Sequence, residues 1–368
     1  MSLMPSIQAP RKIVGIDLFC GAGGLTRGLK DAGISIVAGI DLDPACEFPL
    51  TSNNRGVTFI QADVNEIDSA KLSNLYPDGC IRLLAGCAPC QPFSPFRRGT
   101  DNSLDREWSL LDAFGRHTKE LRPELVTMEN VPDLANKTVF KRFVNTLKGL
   151  GYDVAWRSVY CPRFGIPQHR RRLVLLASLL GHVNVPEGGV SPPDFRTVRD
   201  AIFSLPPVAA GEADPDDRIH VARSVSPLNF RRLLASKPGG TWQDWPQHLR
   251  ARCHRKKSGA SYQNVYARMT WDEPAPTITT LAHSFGSGRF GHPQQNRSIT
   301  LREAALLQSF PVQYRFVRRS EKVYLERVGR LIGNAVPPTL ARAIGRELIR
   351  AACSSPLAEV PPASRSSR

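Results

Sequence analysis

Residues 12–30 read KIVGIDLFCGAGGLTRGLK. A nearly continuous apolar run, Ile13–Phe19, carries one carboxylate at Asp17 and enters a glycine cluster at Gly21, Gly23 and Gly24. An amphipathic segment, Leu25–Ala32, follows. A strand with no wet face, a glycine turn and a helix is how a parallel sheet covered on both sides begins. Working outward, the alternation repeats. Strands are predicted at Ile34–Ile40, Val57–Gln61, Arg82–Ala85, Glu124–Met128, Asp153–Val159 and Leu173–Ala177. Helices are predicted at Pro44–Thr51, Leu110–Leu121 and Thr138–Leu150. The fold class this implies is α/β, a doubly wound and mostly parallel sheet, with ligands bound outside the carboxyl ends of its strands.

After Leu180 the texture changes. Residues 1–185 form the expected first domain, and 186–300, rich in Pro, Gly and Asp, a second, smaller, loop-rich one. Helical patterning returns at Thr300–Phe310, where Thr300 and Glu303 have capping-box spacing. It returns again at Thr339–Ala352 behind Pro337-Pro338. Residues 301–353 are expected to rejoin the first domain, and the Ser/Pro/Arg-rich stretch 354–368 to be a disordered tail.

The 368 residues are 41% hydrophobic and 22% charged, an ordinary globular composition. The charge is less ordinary: 49 Lys and Arg against 33 Asp and Glu leave +16. That favours a polyanionic partner, nucleic acid before membrane. No apolar window approaches a membrane span and no signal-like core opens the chain, so a cytoplasmic location is expected. Eight cysteines at this length are no disulfide framework.

The strand tips carry the chemistry. The glycine loop lacks both the dinucleotide G-x-G-x-x-G spacing and a P-loop lysine. Asp41 ends the second strand, where an acidic residue can accept ribose hydroxyls. Asp63 follows the third, where it can accept from an adenine amino group; helix capping is the alternative for both. Together they suggest an adenosine-type ligand without a pyrophosphate cradle. The fourth strand runs into Cys87 and Cys90. Their C-x-x-C spacing suits a redox pair or half a zinc site, but nothing completes a metal set, and none is expected.

Pro89-Cys90-Gln91-Pro92-Phe93-Ser94 resembles the catalytic motif of DNA (cytosine-5) methyltransferases of the bacterial restriction–modification type. Five further segments fall in that family's order. They are Phe19–Gly24, Met128-Glu129-Asn130-Val131, Gln168-His169-Arg170-Arg171-Arg172, Arg302-Glu303-Ala304-Ala305 and Gly333-Asn334-Ala335-Val336. The resemblance spans about residues 12–350.

The resemblance implies a Rossmann-like methyltransferase fold, with residues 186–300 as the target-recognition domain. It makes Cys90 the nucleophile toward C6 of cytosine, Glu129 the acid at N3, and Arg170 and Arg172 neighbours of the cytosine carbonyl. As alternate residues on an entering strand, both arginines are expected to face one side. The implied cofactor is S-adenosyl-L-methionine, leaving as S-adenosyl-L-homocysteine. Phe19 and Leu42 would cover its adenine, Asp41 bind the ribose, and Asp63 and Val64 read the adenine edge. Leu110, Asn334 and Val336 would line the methionine end, with Gly21, Gly23, Gly24, Leu25 and Pro89 completing the set. Many relatives have a bulkier aromatic in place of Leu42 and Glu in place of Asp41. Duplex DNA is the implied partner. Its contacts would be Ser94, Arg97 and Arg98 in the Gln91–Trp108 loop, the basic cluster Arg250, Arg252, Arg255, Lys256 and Lys257, and Arg289. A monomer is expected, with a cognate restriction endonuclease acting separately. A branch of the same lineage modifies tRNA, and the length of 186–300 argues for DNA. For a methyltransferase Cys87→Ser retains activity, whereas a redox pair depends on Cys87.

Overall fold

The computed structural model describes residues 11–89, 104–256 and 263–354, without the side chains of 104–108. Five strands run parallel: β1 (Ile13–Leu18), β2 (Ser35–Asp41), β3 (Thr58–Gln61), β4 (Ile81–Gly86) and β5 (Leu125–Asn130). After β6 (Asp153–Tyr160) and the two-residue β7 (Gln168–His169), β8 (Arg171–Ser178) inserts antiparallel between β5 and β6. The sheet order is β3-β2-β1-β4-β5-β8-β6. Winding reverses between β1 and β4, which opens a crevice at their carboxyl ends.

Alternate side chains feed two cores. Val14, Ile16, Leu18 and Leu84 face α3 (Ser69–Ser73), α4 (Leu104–Leu121) and α5 (Thr138–Gly149), where Phe114, Phe140 and Phe143 pack. Leu83, Ala85, Leu125 and Val174 face the other way. They meet Leu25 and Leu29 of α1 (Gly24–Asp31) and Leu340, Ile344 and Leu348 of a helix over Pro338–Cys353. Helix α2 covers Glu47–Asn53, preceded by a 3-10 turn at Pro44–Cys46, so the helix expected over Pro44–Thr51 is split. Helix α4 starts at Leu104, inside the segment read as loop.

Residues 186–300 are mostly irregular, with short helices α6 (Val198–Ile202) and α7 (Pro227–Ala235). Trp242, Trp245, Leu249, Leu233 and Phe285 form a small core there. A larger cluster joins Val198, Ile219, Met269 and Ile278 to α8 (Leu301–Leu307) and α9 (Leu325–Asn334), so apolar packing continues across the boundary expected at residue 300. The capping box on α8 forms: Glu303 N donates to Thr300 Oγ1 at 3.1 Å and Thr300 N to Glu303 Oε2 at 2.7 Å. Arg297 also pairs with both Glu303 oxygens, at 2.7 and 2.8 Å. The last helix, Pro338–Cys353, is α10. No helix among the described residues is long and apolar enough to cross a membrane.

Candidate active site

Beyond β1 the chain turns through positive φ at Phe19, Gly21 and Gly23 and enters α1 with Gly23 as a left-handed N-cap. Among the described residues a Cβ at Gly21 would meet nothing within 4 Å, so none of them fills the space in front of the loop. At Gly24 a Cβ would stand 2.2 Å from the Val336 carbonyl oxygen, so glycine there lets the late segment close on the loop. Asp41 holds the loop from β2: its carboxylate accepts from Gly21 N at 2.9 Å and Asp43 N at 3.0 Å. Burial raises its pKa. Leu42, at the same tip, is 64% exposed, an apolar side chain free to lie over a flat ligand. Asp63 accepts from Asn65 N at 2.8 Å.

Asp17 lies beneath the loop, fully buried, and accepts from Thr26 N at 3.1 Å and Thr26 Oγ1 at 2.6 Å. Burial pushes its carboxyl up to about 7. Phe19 and Leu110 are half-buried, Pro89 and Asn334 exposed. Leu25, Val64 and Val336 are buried.

The tips of β4 and β5 form the second half of the site. Gly86 pairs with Met128, so the next residues, Cys87 and Glu129, come together. Cys87 Sγ donates to Glu129 Oε2 at 3.0 Å. Glu129 is 2% exposed. Across β5–β8 it faces Val174, which makes Arg172 its next same-face neighbour. Arg172 Nε stands 3.0 Å from Glu129 Oε1, an ion pair not aligned as a hydrogen bond. Asn130 Nδ2 donates to the Ala88 carbonyl at 3.0 Å and so fixes the segment leading to residue 90. Cys90 itself lies outside the described residues, as do Ser94, Arg97, Arg98 and Lys257.

Arg170 departs from expectation. Residue 170 falls in the break between β7 and β8, where its N–H turns back to the Gln168 carbonyl at 2.8 Å, so the two-residue alternation is lost. Its buried guanidinium donates to the carbonyls of Ile278 (3.0 Å), Gly333 (3.2 Å) and Ala335 (3.4 Å). Burial moves its pKa down to about 10. Gln168 is its partner: Oε1 accepts from Ile278 N at 2.8 Å, and Nε2 donates to Gln308 Oε1 at 2.8 Å. Arg172 alone therefore stands on the acid, while Arg170 fastens the late segment to the sheet. Asn130 and Gln168 lie within the motifs and Asp17 just ahead of one, but none carried an assigned role. Their signal was a polar side chain in an apolar strand or at its end.

Within residues 186–300, Arg252, Arg255 and Lys256 are exposed. Arg250 donates to the Trp245 carbonyl at 3.2 Å and Arg255 to that of Gln247 at 3.1 Å, so both also brace their own loop. Arg289 donates to the Gly239 carbonyl at 2.6 Å, tying two loops together. His254 stacks on Trp242, ring centroids 4.3 Å apart. Among the described residues no group of three or more His, Cys, Asp or Glu side chains could hold a metal ion.

Known proteins of similar sequence and fold are found. The Type II methylase M.HgiDII of Herpetosiphon aurantiacus is 46% identical over 338 residues, 91% of this chain and 94% of its own. The Type II methyltransferase M.XorII of Xanthomonas oryzae pv. oryzae is 31% identical, over 93% of this chain and 86% of its own. A DNA modification methyltransferase structure from an E. coli prophage superposes with TM-score 0.71 at 22% identity, over 92% of this chain and 99% of that one. At that identity the likeness bears on the fold. The C-5 cytosine-specific DNA methylase profile matches residues 13–350, and the chain belongs to that family of DNA (cytosine-5) methyltransferases.

Proposed function

We propose that this chain transfers a methyl group from S-adenosyl-L-methionine to C5 of a cytosine turned out of duplex DNA, with Cys90 as nucleophile and Glu129 as acid. One observation carries the reading. A buried carboxylate at the tip of β5 has Cys87 on one oxygen and Arg172 on the other, beside the segment that runs into Cys90. Cytosine C5 is a poor nucleophile. A thiolate adding to C6 gives C5 enamine character, and a proton held at N3 by Glu129 neutralises the charge that addition puts on the ring. A base stacked in a duplex cannot reach a strand tip, so it leaves the helix first.

Asp41 would hold the cofactor ribose, Phe19 and Leu42 the adenine faces, and Asp63 with Val64 the adenine edge. The loop amides of Gly21–Leu25, with Pro89, Leu110, Asn334 and Val336, would surround the methionine end. The open space at Gly21 and the exposed Leu42 fit such a ligand. When bound, the cofactor would supply the electrophilic methyl and leave as S-adenosyl-L-homocysteine; loss of the C5 proton to water then lets Cys90 depart from C6. Arg172 keeps Glu129 in place, and Arg170 positions the turn at residues 333–336. Arg252, Arg255, Lys256 and Lys257 would meet phosphates, as would Arg97 and Arg98. Ser94 and Arg289 would lie nearer the bases. Action as a monomer in the cytoplasm is part of the same reading. The Type II relatives support modification of a specific DNA site; a cognate endonuclease would act separately.

Duplexes carrying 5-fluorocytosine test the proposal. With cofactor present, a stable adduct is expected at Cys90, at sites that bisulfite sequencing of DNA from expressing cells identifies. A survey of sites yielding neither adduct nor 5-methylcytosine overturns it.

A further inference from the structure

Cys87 lies three residues before the nucleophile, and nothing above requires it. Its backbone N–H reaches the Leu18 carbonyl at 3.3 Å, and Asn130 holds the next carbonyl, that of Ala88, at 3.0 Å. The half-buried side chain is therefore fixed from both flanks, with Sγ 3.0 Å from Glu129 Oε2. Glu129 is 2% exposed, and a carboxylate that deep needs partners. Arg172 stands against Oε1 as an ion pair without an aligned hydrogen bond. Among the described residues the hydrogen-bond donor to Oε2 is the Cys87 thiol.

We propose that Cys87 is a positioning residue for methyl transfer, its S–H holding Oε2 of Glu129 so that the carboxyl meets the cytosine ring in one orientation. The proposal rests on the reading of Glu129 as the acid at N3. A thiol both donates and accepts, so it can follow the carboxyl between its two protonation states. The proton moves between Glu129 and N3 as Cys90 adds and leaves. Cys87 keeps its own proton throughout, and no electron is transferred.

Removing a donor from a carboxylate favours its protonated form, and a stronger donor favours its charged form. In Cys87→Ala, kcat is expected to fall on the order of tenfold with KM for cofactor unchanged, and the alkaline limb of the kcat profile to move to higher pH. Cys87→Ser is expected to restore most of kcat, with the limb moved below that of the wild type. The proposal is overturned if Cys87→Ala matches wild type in kcat and limb. It is equally overturned if the serine variant's limb does not move, a reading that stands even where the alanine variant fails to fold. Glu129→Gln separates the two layers. If it remains active, the acid assignment itself fails; if it is inactive while Cys87→Ala behaves as wild type, only the role of Cys87 fails.

Discussion

Arg172 Nε and Glu129 Oε1, on antiparallel neighbours β8 and β5, stand 3.0 Å apart with their side chains 14% and 3% exposed. Little water screens that pair, so removing either partner strands a buried charge, at a cost of about 3–5 kcal/mol. Arg172→Ala is expected to lower kcat at least ~100-fold, about the worth of one positioned acid. Calorimetry should find cofactor affinity little changed. Arg172→Lys, with charge but no planar fork, should fall between.

Arg170→Met tests the other arginine. It leaves the carbonyls of Ile278 and Gly333 without their donor and that of Ala335 with Gln308 Nε2 in place of two donors. A loss of about 3 kcal/mol in unfolding free energy is expected, since each buried unpaired polar group costs about 1–3 kcal/mol. Because two of those carbonyls belong to the turn at residues 333–336, cofactor dissociation should also speed up. Thermal melts with and without cofactor read both effects. A variant that loses activity at full stability would return Arg170 to the substrate.

Gly28→Ala sets two effects against each other. Helix propensity favours alanine by about 1 kcal/mol. A Cβ at Gly28, however, would lie 2.2 Å from the Pro338 carbonyl oxygen and 2.7 Å from Arg342 N, both backbone atoms. The clash dominates, and the urea midpoint is expected to fall by the equivalent of about 2 kcal/mol or more.

His292 sets an acid limit on stability. Its Nδ1 accepts from Gln294 N at 3.1 Å and Gln295 N at 2.9 Å, leaving no room for a second ring proton, and burial takes its pKa down to about 4. The unfolded chain titrates this group near 6.5, so its contribution is complete above that pH and is lost as pH falls toward 4, by up to about 3 kcal/mol. In His292→Asn, where Oδ1 can replace the acceptor, the drop in denaturation midpoint between pH 6.5 and 4 should be shallower.

The strand tips could be read from sequence because apolar runs and the polar residues ending them are local. Asp41, Leu42, Cys87 and Glu129 each follow a run that admits one reading. The chemistry at position 129 was legible as a residue type, but its partners were not. The Cys87 contact depends on the β4–β5 register, and the Arg172 contact on β8 running antiparallel beside β5. Arg170 misled because spacing by two implies a shared face only while the strand is continuous, and it breaks there. Helix α9, LERVGRLIGN, escaped notice because Gly329 and Gly333 interrupt its apolar stripe. Both glycines are explained only by a neighbour: a Cβ at Gly333 would stand 2.4 Å from the backbone of Thr279 and Thr280.

The backbone contact between α1 and the start of α10 has a bearing on biosynthesis. Helix α1 is among the first elements to leave the ribosome, whereas Val336 and Pro338, which close upon it, emerge after every strand of the described residues. A nascent chain can therefore assemble its sheet while the crevice beside it still lacks one wall. DNA methylation would then begin only with chains whose translation has passed the start of α10.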